Sequence, residues 1–108
     1  VAEGVLLFLP GEGVRRLVTT LKTNAPGAVF LCDAAGHRLR QRQGAAFAGV
    51  GAPIGWTVRD EGDVAALGLM LEQVWPALYA FPERWGDLLP RPVPPPLRSN
   101  SLVIRARV

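Results

Sequence analysis

The chain carries one cysteine, one histidine, one lysine and one methionine, and no apolar run near the length of a bilayer crossing. Each shortage excludes something. A lone Cys32 cannot close an intrachain disulfide, and it has no second cysteine at metal-ligand spacing. That usage suits a reducing compartment, so a cytoplasmic location is expected. His37 has no second imidazole to share a metal with, and no metal is expected. A membrane span needs roughly 20 apolar residues, and the start of the chain lacks the basic segment and small-residue cleavage pattern of a secretory signal. No membrane partner is expected. With Lys22 the only lysine among twelve basic residues, the net charge of +3 is arginine charge, and the pI is about 10.0. In a chain rich in Ala, Gly, Pro, Leu and Val, the arginine excess reads as the coding bias of a GC-rich gene. A polyanion-binding surface is the other source of such charge, but its distribution here argues against a nucleic-acid partner.

What is present is a chain able to bury one core. Its 108 residues are 49% hydrophobic and 19% charged, enough for one domain and too few for two. Val5 to Leu9 is a short apolar, strand-like run. Pro10 follows it at a position compatible with the first turn of a helix. Val14, Leu17, Val18 and Leu21 then recur at i, i+3, i+4 and i+7, which predicts a helix over 11–23. Asn24, Pro26 and Gly27 stop it. The run Ala28 to Cys32 predicts a strand over 28–33, and its unbroken apolar character suits burial on both faces in a parallel sheet. Run, helix and strand would form one right-handed βαβ unit.

Beyond Asp33 the pattern weakens, and residues 34–68 read as largely irregular. Within them a short basic helix is expected near 37–43, "GVGAPIG" (49–55) reads as a loop, and "WTVR" (56–59) as a brief strand. The acidic group Asp60, Glu61 and Asp63 opens a short helix through Leu67, because carboxylates favour the positive end of the helix dipole. A strand is expected at 69–75. A proline-rich crossover spans 76–98, with "LPRPVPPP" stiff and extended. A last strand runs over 101–108, with Leu102, Ile104, Ala106 and Val108 on one face and Val103, Arg105 and Arg107 on the other. Such alternation suits a terminal, partly exposed strand. The fold class is α/β.

Several constellations offer chemistry, each beside a plainer reading. "GEG" (11–13) opens a helix after an apolar run, but Arg16 stands where a dinucleotide fingerprint has its third glycine, and Pro10 breaks the tight turn. The spacing of "GVGAPIG" leads into a strand-like stretch and offers no helix N-terminus to a phosphate. Glu3 and Asp33 are each read as standing at or near the carboxyl end of an apolar strand-like run, and ligands of open α/β sheets bind in the crevice outside such strand ends. They could accept hydrogen bonds from a ribose or an ammonium group. The plainer readings are a solvated terminal charge for Glu3 and a cap or turn residue for Asp33. His37 has no poised partner in sequence and reads as a surface residue. Cys32 ends an apolar run and reads as a packed core thiol. Arg38, Arg40 and Arg42 form a solvated basic face or hold an anionic substrate carboxylate or phosphate. Trp56, Trp75, Tyr79, Phe81 and Trp85 supply aromatic packing or a pocket lining. The proline-rich stretch lacks arginines at the offsets that proline-binding modules read, so a stiff connection is preferred.

The stretch "AEGVLLFLPGEGVRRLVTTLKTNAPGAVFLCD" (2–33) resembles the centre of the leucine carboxyl methyltransferase family, which includes polyketide O-methyltransferases. "GAPIGWTVRDEGDVAALGLMLEQVW" (51–75) is similar to that family's later segment. The resemblance implies a class I enzyme dependent on S-adenosyl-L-methionine and a Rossmann-like sheet of parallel strands with an antiparallel last strand. Glu3 would match the acidic residue after the fourth strand that lies in the cofactor pocket. Asp33 would end the fifth strand, on the substrate side. Residues 69–75 and 101–108 would be the sixth strand and an antiparallel seventh inserted between fifth and sixth. Phe8 stands where the motif usually has Tyr. The glycine-rich turn after the first strand and the acid after the second have no counterpart here, so the chain reads as the carboxyl-terminal half of such an enzyme. It would be a single partial domain, inactive alone, with the flank of strand 28–33 poorly covered and prone to self-association. The implied function is transfer of a methyl group to a carboxylate or hydroxyl of a small-molecule acceptor. No residue is assigned to catalysis. The alternative is a non-enzymatic truncated α/β module that pairs with itself or with a partner chain.

Overall fold

Pro10 cannot donate a backbone hydrogen bond, and its fixed φ of −63° sets the chain for the helix that follows. Its carbonyl accepts from the Val14 N–H at 3.1 Å, and helix α1 runs over Gly11–Asn24. Val14 and Val18 are fully buried on its inner face, with Leu17 and Leu21 packed beside them. On the outer face Thr19, Thr20 and Thr23 donate their hydroxyls to carbonyls four residues back. The computed structural model that shows this describes residues 1–41, 49–79, 82–84, 86–88, 95–96 and 100–108.

After a turn at Gly27, where φ is +77°, strand β1 runs over Val29–Gly36. Residues 37–41 are helical and are called α2. Strand β2 (Thr57–Val58) and helix α3 (Glu61–Ala65) follow, then β3 (Met70–Pro76), 3-10 turns at Ala77–Tyr79, Pro82–Arg84 and Gly86–Leu88, and β4 (Ser101–Arg107). The strands form one sheet in the order β2-β1-β4-β3, in which β1 and β2 are parallel and β4 is antiparallel to both β1 and β3. The fold is therefore mixed α/β. α3 starts at Asp60, whose side chain accepts from the Asp63 N–H as an N-cap. Gly68, at φ +81°, turns the chain out of this helical segment toward β3, and Lys22 of α1 lies close over it.

Paired positions on neighbouring strands share a face. Phe30, Cys32, Ala34, Leu102, Ile104 and Ala106 all point to the side covered by Val14, Val18 and Val64, and all are buried. On the other side Leu31, Asp33 and Val103 are half-buried, while Val29, Arg105 and Met70 are exposed. There a bulge between Leu71 and Gln73 frees Glu72 from the ladder, and its carboxylate accepts from Arg107 Nε at 2.7 Å and Arg105 Nε at 2.9 Å. These two hydrogen bonds, Arg107's first, hold the Glu72 carboxyl below its usual range.

The structure corrects four readings. Val5 to Leu9 is not a strand: Gly4, at φ +67°, turns the chain away, and the Val5 and Leu6 carbonyls accept from Phe8 and Leu9 in a 3-10 turn over Leu6–Phe8. Only Leu6 of that run is fully buried, and the partner of β1 is instead Ala2, in an isolated parallel bridge to Cys32. β1 is buried on one face and only partly on the other, because the described helices pack on a single side. β4 lies inside the sheet and not at its border. Its alternation records a covered and an uncovered face, which period-2 patterning cannot distinguish from an edge. Finally, β1 runs on through Gly36, past the expected end at 33, whereas the brief strand within 56–59 and the short helix opened by Asp60 are present as β2 and α3. The "LPRPVPPP" reading falls outside the described residues except at 95–96.

The flank of β1 away from β4 is partly lined. Ala2 bonds across to Leu31 and Asp33, and β2 takes Ala35 and Gly36. Val29 is 47% exposed and has no described partner on that side. Among the described residues no helix is long and apolar enough to cross a membrane.

Candidate functional site

The bridge at Ala2 brings Glu3 and Asp33 to neighbouring chain ends. The Gly4 N–H donates to both carboxylate oxygens of Asp33, at 3.0 and 2.9 Å, a geometry that the positive φ of Gly4 makes available. Asp33 thus fastens the turn that leads the chain from the sheet into α1. Glu3 is exposed, and its carboxylate has no hydrogen-bond or ion-pair partner among the described residues. Its oxygens are open to a ligand, while those of Asp33 are already partly used.

Cys32 points the other way, into the core beneath α1, and is 2% exposed. Burial, followed by the neighbouring Asp33 carboxylate, pushes its thiol up to about 12. A thiol so placed is not a nucleophile. Modification of Cys32 by a thiol reagent at neutral pH is expected only as fast as the protein unfolds. Stopped labelling read by mass spectrometry, with and without urea, checks this. Rapid labelling in native buffer would show that the strand opens locally.

A second group of residues surrounds a cavity of about 320 Å³ where β1 and β2 end. Gly11 and Arg15 come from the first turns of α1, His37 and Arg40 from α2, and Arg59 follows β2 directly. Trp56 and Leu67, both nearly buried, form an apolar part of the wall. The chain packs tightly here. The Gly55 N–H donates to the Leu7 carbonyl at 2.8 Å, and a Cβ on Gly55 would stand 2.3 Å from the Leu9 oxygen.

The charges around the cavity are unequally satisfied. Arg59 meets Asp63 as a fork, Nε to Oδ2 at 3.1 Å and Nη2 to Oδ1 at 2.9 Å, and its backbone N–H donates to Oδ2 at 2.8 Å. The Arg59 side-chain hydrogen bond holds the Asp63 carboxyl below its ordinary value. Arg15 and Arg40 have no acidic partner among the described residues. His37 is half-buried, with Nδ1 3.5 Å from Thr57 Oγ1 and Nε2 3.4 Å from the Gln41 amide nitrogen.

Neither Glu3 nor Asp33 lines this cavity. Of the three arginines after β1, Arg40 does, Arg38 is exposed and outside it, and Arg42 lies outside the described residues, as do Phe81 and Trp85. Sequence reasoning passed over Arg15 and the Arg59–Asp63 pair. The pair had a local signal in its spacing of four across a predicted helix start. Arg15 had none, since it looks like any charge on the outer side of an amphipathic helix. Among the described residues no group of three or more His, Cys, Asp or Glu is placed to hold a metal ion.

The fold and these two groups of residues define a small mixed α/β protein with charged chemistry at its strand ends. No protein-family model, curated protein or solved structure matches the chain.

Proposed function

We propose that this chain is part of an S-adenosyl-L-methionine-dependent O-methyltransferase, its carboxyl-terminal, Rossmann-like half, acting on a carboxylate or hydroxyl of a small metabolite. The observation that carries the reading is the position of β4, antiparallel between β1 and β3. That is the arrangement implied for the last strand by the resemblance of residues 2–33 and 51–75. The parallel bridge of Ala2 to β1, with α1 as the crossover, adds support.

Glu3 fits the cofactor's polar groups: its exposed carboxylate has free lone pairs and stands beside a strand end, so it would accept hydrogen bonds from ribose hydroxyls. S-adenosyl-L-methionine supplies an already activated methyl group on a sulfonium, so the protein's task is to orient an acceptor oxyanion in line with it. Asp33 supports this indirectly, by holding through Gly4 the turn that presents Glu3.

Calorimetric titration of S-adenosyl-L-methionine into the protein tests the reading. The glycine-rich turn and the second acid that hold this cofactor have no counterpart in the chain, so only weak binding is expected, and Glu3→Ala is expected to weaken it further, about tenfold, the worth of one charge-assisted hydrogen bond. Binding indifferent to Glu3→Ala removes Glu3 from the cofactor site. Absence of binding, together with concentration-dependent self-association in sedimentation, favours the second reading, a non-enzymatic module that pairs through its sheet. Val29, exposed and with no backbone partner among the described residues on the flank of β1 away from β4, is the observation behind that reading.

A further inference from the structure

We infer that the cavity at the ends of β1 and β2 binds an oxyanion, a phosphate or carboxylate group carried by a small ligand. The inference does not rest on the methyltransferase reading, and its residues are not those assigned to the cofactor.

Four features on three elements converge there. Arg15 on α1 and Arg40 on α2 reach the cavity without acidic partners among the described residues, and two guanidiniums facing one concavity repel each other unless an anion stands between them. Arg59 is held by its fork to Asp63, so a third guanidinium stands in a fixed orientation. The first turn of α1 also lines the cavity at Gly11. Pro10, as N-cap, makes no side-chain hydrogen bond to the helix, so that residue caps none of the first-turn amides. Glu12 on the same turn is turned toward Arg16, 3.9 Å away, and does not line the cavity.

The counter-charge argument selects the ligand's sign. Among the described residues Asp63 is the only carboxylate lining the cavity and it is committed to Arg59, so the net charge of the described lining is positive. The volume of about 320 Å³ exceeds that of a bare phosphate and falls at the lower end of the range for small-molecule pockets, about 300–1,000 Å³. Trp56 and Leu67 give the body of such a ligand an apolar surface, with the oxyanion directed to the arginines.

The test is an NMR titration of the ¹⁵N-labelled protein with sodium phosphate and, separately, sodium malonate, each against sodium chloride at equal ionic strength. Saturable shifts at the Gly11, Gly13 and Gly55 amides and the Trp56 indole are expected for at least one of the two anions. A response to phosphate alone assigns the group as phosphate, and a response to malonate alone assigns it as carboxylate. Arg15→Gln and Arg40→Gln are each expected to weaken binding about tenfold. Arg38→Gln, outside the cavity, is expected to leave it unchanged. Both arginines are exposed, and an unaltered spectrum without anion verifies that each variant keeps the fold. Shifts that match those of chloride, or equal weakening by Arg38→Gln, would overturn the assignment.

Discussion

Ile104→Ala is expected to lower the free energy of unfolding by about 2–5 kcal/mol, the range for truncating a fully buried branched side chain. Ile104 is 1% exposed. It stands in the middle of β4, opposite Cys32 of β1 and Val74 of β3, and it shares a cluster with Val14 and Val18 of α1. Four elements therefore border the vacated space. A backbone laddered on both sides cannot collapse into it, so most of the cavity term stays. Urea denaturation followed by circular dichroism measures the loss.

Val103→Ala supplies the contrast. Val103 is on the same strand but on the half-buried face, so its truncation removes less area from burial and is expected to cost clearly less. Equal losses at 103 and 104 would mean that the second face of the sheet is covered in solution, by another layer or by a second copy. The pair of measurements thus reports both on the core and on the face that carries Leu31, Val103 and the Glu72–Arg105–Arg107 cluster.

Gly55→Ala is the second substitution with a large expected effect, a loss of about 1–3 kcal/mol from overpacking. The reason is not conformational freedom. A Cβ at this position would lie 2.3 Å from the Leu9 oxygen, 2.7 Å from its carbonyl carbon and 3.0 Å from the Pro10 nitrogen. All three are backbone atoms, and the Gly55 N–H is bonded to Leu7 at 2.8 Å in the same place. Relief requires moving the 3-10 turn and the N-cap of α1 together. Because Gly55 and Gly11 also line the oxyanion cavity, the variant is expected to lose anion-dependent shifts along with stability. Gly11→Ala is the control: nothing lies within 4 Å of its added Cβ, and alanine is the better helix former, so stability is expected to hold or rise slightly. A Gly55→Ala protein with an unchanged melting temperature would show that the Leu7–Pro10 segment is free to shift.

Legibility varied along the chain for identifiable reasons. α1 was readable because Val14, Leu17, Val18 and Leu21 carry a full helical period, with Pro10 before it and Asn24, Pro26 and Gly27 after it. β4 was readable as a strand with its buried side correct, since Leu102, Ile104 and Ala106 alternate strictly with Val103, Arg105 and Arg107. Its position inside the sheet was not a property of that alternation. It entered only through the resemblance. Val5 to Leu9 misled because an apolar run carries no record of direction, and one glycine at φ +67° redirected it. Of the candidate residues, Glu3 and Asp33 were named from their places beside apolar runs, and the structure brings them together through Gly4. The plainer reading of Asp33, a cap or turn residue, named the kind of bond it makes, but that its partner would be the Gly4 amide, distant in the chain, had no sequence signal.

By itself, then, the order of residues determined the amphipathic helix, the apolar strands and the buried side of β4, along with the exclusion of a disulfide between two of these residues, since only Cys32 carries a thiol. These are local matters, settled by periods of 3.6 and 2 and by the φ preferences of proline and glycine. Only the tertiary structure decided which strand lies beside which, that Gly55 must lack a side chain, and that Arg15, Arg40 and Arg59 meet around one cavity. The physical reason is the same in each case. Burial rewards any apolar face that finds another, and the Coulomb energy of a charge depends on what stands within a few ångströms of it. Both quantities belong to distances between residues far apart in the chain, and those distances exist only once the chain has folded.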